Sequence, residues 1–127
     1  MPHIRLEYTA NVAQPPAFGQ LFLELHRTLN SVAGIDINNC KSRAVRLEEY
    51  LIAQAEDTKA FVHLDVSFLE GHSDEVRREI GARFLESARR SFATAIAGQD
   101  LQISVEIRDI DRKFYFKHPA GSIRVIR

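Results

Sequence analysis

The chain contains a single cysteine, Cys40, a single methionine at its start and no tryptophan. One thiol excludes an intrachain disulfide framework and fits a reducing compartment. Net charge is also absent, because 17 Lys and Arg offset 17 Asp and Glu. Without a global basic field, the chain is not built as a dedicated nucleic-acid binder. No stretch approaches the roughly 18 apolar residues that span a bilayer, and Met1–Tyr8 lacks the apolar core of a secretory leader. The expectation is a cytoplasmic protein with neither a membrane nor a nucleic acid as partner. A Gly-rich phosphate loop, a Gly-x-Ser-x-Gly elbow and a His-Glu-x-x-His pair are all missing, which removes the enzyme classes built on them. What is present is 127 residues, 45% hydrophobic and 27% charged. That is a globular composition with enough chain for one core, whereas two halves of about 60 residues would each be marginal.

The apolar residues follow two periods. Ile4, Leu6 and Tyr8 alternate with His3, Arg5 and Glu7, a half-buried strand near the chain start. Pro15-Pro16 marks a turn and the first turn of a helix, and Phe18, Leu21, Phe22, Leu25, Leu29 and Val32 follow at helical spacing up to a stop at Gly34. Residues 40–48 form a candidate second strand. The order then repeats. Val62, Leu64, Val66 and Phe68 alternate with polar residues, and Glu70-Gly71-His72 turns the chain. Ser73 is a good N-cap, with Asp74 and Glu75 placed favourably against the helix dipole. Val76, Ile80, Phe84, Ala88, Phe92 and Ile96 then line one face of a long helix ending at Gly98, and Leu101, Ile103, Val105 and Ile107 form the last strand.

Two strand–helix–strand units of this kind predict an α+β fold: a duplicated βαβ, with a four-stranded mixed sheet and two helices on one face. The expected organisation is one domain over 1–127, with pseudo-repeats 2–48 and 60–108 and an extended tail over 113–127. Helices on one face leave the other face, with Phe61, His63 and Asp65, uncovered. It is too mixed for a purely solvated surface, and a second subunit would cover it. Phe114-Tyr115-Phe116 and Ile123–Ile126 read as short extended pieces that could dock on a neighbour or on an edge of the same chain.

Met1-Pro2-His3 running straight into a strand resembles the tautomerase (macrophage migration inhibitory factor-like) superfamily. Within it, the chain resembles the 5-carboxymethyl-2-hydroxymuconate Δ-isomerase family. The resemblance is carried by Pro2-His3-Ile4, Lys41-Ser42-Arg43, Ala60-Phe61-Val62-His63, the Gly71-His72-Ser73 turn and Phe116-Lys117, in order along nearly the whole chain. It implies a homotrimer whose three sheets form an inner barrel, with active sites near the subunit boundaries and no metal or organic cofactor. It also implies that Pro2, freed by removal of Met1, is the catalytic acid–base group. The family pattern has Arg-Ser-Arg where this chain has Lys41-Ser42-Arg43, and an arginine where this chain has His72.

The residues themselves allow that chemistry beside plainer readings. An α-amino group has a reference pKa of about 7.7–8.0, and burial or nearby cations lower it toward the range useful for proton shuttling. A proline after Met1 would equally serve only to permit Met removal and start a strand. Lys41 and Arg43, two apart in a strand, share a face and suit a carboxylate substrate, or else pair with Glu48 or Glu49. His72, just before a helix, could hold a carboxylate or be an ordinary turn histidine. His63 reads as a hydrogen-bonded interface histidine, and Cys40 as an apolar filler. His3, His26 and His118 have no metal-site spacing, so no metal is expected. The favoured function is a cofactor-independent isomerase or tautomerase of small unsaturated 2-hydroxy or 2-oxo acids, with Pro2 as acid–base group and Lys41, Arg43 and His72 as carboxylate holders. The alternative is a trimer of the same fold that binds a ligand or partner without this activity.

Overall fold

Each alternating segment becomes a strand: β1 (His3–Thr9), β2 (Lys41–Leu47), β3 (Lys59–Leu69) and β4 (Asp100–Ile110). The structure is a computed structural model that describes residues 1–54 and 58–119. The strands form one four-stranded sheet in the order β2-β1-β3-β4. β1 runs parallel to β2 and antiparallel to β3, and β3 runs parallel to β4. Both parallel pairs are bridged by helix, as parallel neighbours require. The first crossover is α1 (Phe18–Ala33); the second is α2 (Asp74–Ser91) followed by the short α3 (Ala93–Gly98).

The helices pack on one face of the sheet. Leu21, Leu25 and Leu29 of α1 and Ile80, Phe84 and Ala88 of α2 join Ile4, Leu6, Val62, Leu64, Val66 and Phe68 in one buried cluster. Complete burial of such an aliphatic or aromatic side chain contributes about 1.5–3 kcal/mol, so this face fixes which side of each strand points inward. The opposite face carries the other half of each alternation. Cross-strand register sets Arg43, Arg5, Asp65 and Glu106 in one row, and Lys41, His3, Ser67 and Arg108 in the next. This uncovered face is polar, with Phe61 as an apolar member.

Several boundaries differ from expectation. Pro15-Pro16 precedes α1 instead of forming its first turn. The N-cap is Ala17, extended at φ −71° and ψ 97° and without a side-chain cap; a proline biases the residue before it toward extended backbone, which keeps the Pro-Pro step outside the helix. The long second helix is interrupted at Phe92, whose φ of −103° and ψ of 24° are not helical. Its ring is fully buried and lies 6.4 Å from that of Phe18, and the chain beyond it turns enough to leave Ile96 42% exposed. Ile96 therefore does not belong to the buried stripe. After β4 the chain forms a 3-10 turn at Arg112–Phe114 where an extended piece was expected. Ile123–Ile126 lies outside the described residues. Among the described residues, no helix is long and apolar enough to cross a membrane.

Candidate active site

The chain start lies in the fold, with Met1 and Pro2 both buried. At the end of α1, Gly34 takes the left-handed conformation (φ 68°) that an L side chain resists, and its N–H donates back to Asn30 O. A 3-10 turn (Ile37–Asn39) follows, capped by Asp36, whose Oδ1 accepts from Asn38 N–H at 2.9 Å. This turn presents the Asn39 carbonyl to two cations. The Met1 amine donates to it at 2.8 Å, and Lys41 Nζ donates to it at 3.2 Å. The Lys41 backbone N–H donates to Pro2 O at 3.1 Å and fixes the proline against β2.

That environment acts on the amine. Burial first, and then the charges of Lys41 and Lys117, pull its pKa from the ordinary 8.0 to about 6. The neighbouring Cys40 thiol is pushed up, chiefly by burial, which suits an inert filler.

Beside the amine lies a cavity of about 380 Å³. Its walls come from Met1, the end of α1 (Ala33, Gly34) with Ile35, Asp36 and Asn39, the end of β3 (Phe68, Leu69), His72 and Arg112. His72 stands edge-on to Phe68, with ring centroids 5.3 Å apart and planes at 89°. Ser73 is occupied as the N-cap of α2, its Oγ accepting from Val76 N–H at 3.2 Å.

The residues singled out from sequence thus separate. Pro2 and Lys41 lie at the amine, and His72 lines the cavity beside it. Arg43 does neither. It shares the uncovered sheet face with Lys41, but its Nη1 donates to His3 Nδ1 at 3.1 Å, and His3 Nε2 meets the Tyr115 hydroxyl at 3.2 Å. His3 is held toward its neutral form by burial and then by the nearby amine, Arg43 and Lys41, which matches its accepting from Arg43. Sequence reasoning missed Arg112 and the role of the Asn39 carbonyl. The signal for Arg112 is register: β3 and β4 are equally long and pair from Lys59↔Asp100 to Leu69↔Ile110, so the residue two past β4 must fall beside the Gly71-His72 turn.

Further along the same face, ligand atoms of His63, Asp65 and Glu106 lie within 4.8 Å of one another. A metal ion is poorly matched there. Arg108 donates to Asp65 at 2.8 Å and to Glu106 at 3.1 Å, and His63 Nδ1 meets Ser104 Oγ at 2.6 Å. A guanidinium already supplies the positive charge, so the group reads as an ion-pair cluster.

The profile of the 5-carboxymethyl-2-hydroxymuconate isomerase family matches residues 2–124. The chain belongs to this family. It is therefore an isomerase. A 5-carboxymethyl-2-hydroxymuconate Delta-isomerase from Escherichia coli is 25% identical over 117 residues, covering 92% of this chain and 93% of its own. The crystal structure of a 5-carboxymethyl-2-hydroxymuconate isomerase from Deinococcus radiodurans R1 is 33% identical, with a TM-score of 0.82 over 91% of this chain and 87% of that one. A fused 4-OT, solved as a symmetric trimer, is 13% identical with a TM-score of 0.69 over 87% of each chain, a likeness of fold alone.

Proposed function

We propose that this family member is a cofactor-independent tautomerase of small unsaturated 2-hydroxy or 2-oxo acids, of the 5-carboxymethyl-2-hydroxymuconate kind, with Pro2 as its acid–base group. The observation that carries the reading is an amine whose pKa is lowered to about 6 at the wall of a cavity. Met1 is part of that wall. Its removal would free Pro2 as a secondary amine one residue further along, where Lys41 N–H holds the Pro2 carbonyl at 3.1 Å. A neutral amine takes the proton of the 2-hydroxyl as the enol collapses to a ketone, and the resulting ammonium returns a proton to a carbon of the conjugated chain. One proton leaves, one arrives, the double bonds shift, and no electron is gained or lost. A base near neutrality suits both transfers. Lys41 and His72 hold carboxylate oxygens beside this nitrogen. Arg43 orders His3 and Tyr115 at the edge of the site.

The working assembly is a homotrimer in the cytoplasm, one domain per chain. Its support is the uncovered sheet face, the exposed rings of Phe114 and Phe116, and the trimeric state of the fused 4-OT that shares the fold.

The test is made at the chain start. Mass spectrometry of the native protein, before and after reaction with a halo-pyruvate, reads whether Met1 is absent and Pro2 is labelled. Ketonisation of 2-hydroxymuconate is then compared between the free form and a form with one extra residue before Pro2. The blocked form is expected to lose about 10²–10⁴-fold in rate. A native protein that keeps Met1 and stays unlabelled, or equal rates for the two forms, rejects Pro2 chemistry and favours a ligand-binding trimer.

A further inference from the structure

Arg112 is built into the cavity wall with part of its donor capacity unused. It follows β4, and Glu70 follows β3. The Arg112 backbone N–H donates to Glu70 Oε2 at 2.9 Å, its Nη2 donates to the Glu70 carbonyl at 2.7 Å, and Glu70 N–H donates to Ile110 O at 3.1 Å. These bonds tie the ends of the two strands together and fix the guanidinium in place. Gly71 lies against it. With φ at +122° the turn favours glycine, and a Cβ there would stand 3.5 Å from Arg112 Nη2.

The remaining end is unanswered. Among the described residues, Arg112 Nη1 is shielded from solvent and has no hydrogen-bond partner. Among the described residues, Arg112 also forms no ion pair, since Glu70 meets the guanidinium with its carbonyl and spends its carboxylate on the backbone. The acidic residue among the cavity walls, Asp36, has Oδ1 engaged by Asn38 N–H. A buried donor without a partner is costly, and more so on a charged group. A planar guanidinium fork held rigidly at a cavity wall is matched by a carboxylate, which can accept from both of its ends.

We infer that Arg112 anchors a substrate carboxylate remote from the reacting enol, so that the cavity selects dicarboxylate over monocarboxylate enols. The inference rests on the cavity being the substrate site. The planar guanidinium fork of Arg112 matches a carboxylate in a way that the His72 imidazole does not. The Nη2 bond to the Glu70 carbonyl holds the fork at the cavity wall.

The experiment compares wild type with Arg112→Gln and Arg112→Lys, using 2-hydroxymuconate as the dicarboxylate and the enol of phenylpyruvate as the monocarboxylate. For Arg112→Gln, kcat/KM on the dicarboxylate is expected to fall about 10- to 100-fold, mostly through KM, the loss of one charge-assisted hydrogen bond. The monocarboxylate should lose much less, and Arg112→Lys should recover part of the dicarboxylate loss. Equal losses on both substrates would mean that Arg112 only ties the strand ends, and no loss on either would remove it from the site. Calorimetry with glutarate and butyrate on the wild-type protein gives a measurement independent of variant folding and of turnover. Tighter binding of glutarate by about tenfold or more is expected, and equal affinities overturn the inference. If instead the blocked N-terminus turns over normally while glutarate is still preferred, Pro2 chemistry fails and the anchor stands.

Discussion

At the residue scale, the deciding group is an amine, and its surroundings give it a direction in pH. With its pKa lowered from 8.0 to about 6, the neutral form dominates above about 6 instead of above 8. That value belongs to Met1; a Pro2 amine freed one residue on must likewise be neutral to act as a base, and nearby Lys41 lowers its pKa in the same direction, so kcat/KM should rise with pH through a limb below 8. Burial lowers the Met1 value most, and Lys41 lowers it further by its charge and by side-chain hydrogen bonding with the amine. Lys41→Gln should therefore move the limb upward while leaving it below 8. A pH profile of kcat/KM for the two proteins checks this, and an unmoved limb would leave Lys41 with carboxylate binding alone. Sequence spacing was enough to place Lys41 and Arg43 on one face, because that follows from the period of a strand. It could not separate them. Arg43 is taken by His3, a pairing set by register between β1 and β2, while Lys41 is one residue from the turn that presents Asn39. Arg112 was illegible for a similar reason, since its neighbour Glu70 lies 42 positions away in the chain.

At the scale of elements, local signals were readable wherever the cause was local. Ser73 illustrates this: an extended serine before Asp74 and Glu75 caps α2, and Arg89 and Arg90 complement the dipole in the last turn. Ser73→Ala should cost about 0.5–2 kcal/mol. Denaturant unfolding would read it as a lower midpoint at unchanged slope. An unaltered midpoint would show that water replaces the hydroxyl at no cost. The strands were readable because alternation needs only one buried face. The break at Phe92 was not, because a helical stripe through Ala88, Phe92 and Ile96 looks continuous until the Phe92 ring is placed beside Phe18, a contact across two crossovers. The Pro15-Pro16 step failed differently. Proline fits a first helical turn, but two in succession extend the backbone and delay the helix to Phe18.

At the scale of the whole molecule, the sequence showed a sheet with helices on one side only, and the structure gives the bare side its character. Arg108 with Asp65 and Glu106, and Arg5 with Glu7, already balance one another within the chain. In the proposed trimer such a face supplies polar contacts, so apolar contact between subunits has to come from other residues. The described residues offer a source: Phe114 is 75% exposed and Phe116 is 87% exposed, one after the other beyond β4. Burying an exposed phenylalanine contributes about 1.5–3 kcal/mol, and a closed trimer repeats each contact three times. Tyr115, between them, is turned back to His3, which fixes the segment and points its neighbours outward. The double variant Phe114→Ser, Phe116→Ser should therefore still fold as a chain but assemble less well. Sedimentation should find wild type at three times the 14.5 kDa chain mass at every concentration tested, and the variant shifting toward one chain mass on dilution into the micromolar range. Far-UV circular dichroism on the same samples separates dissociation from unfolding. If the variant remains a trimer at the lowest concentration with an unchanged melting temperature, these rings are not at the interface and the bare sheet face must supply the association by itself.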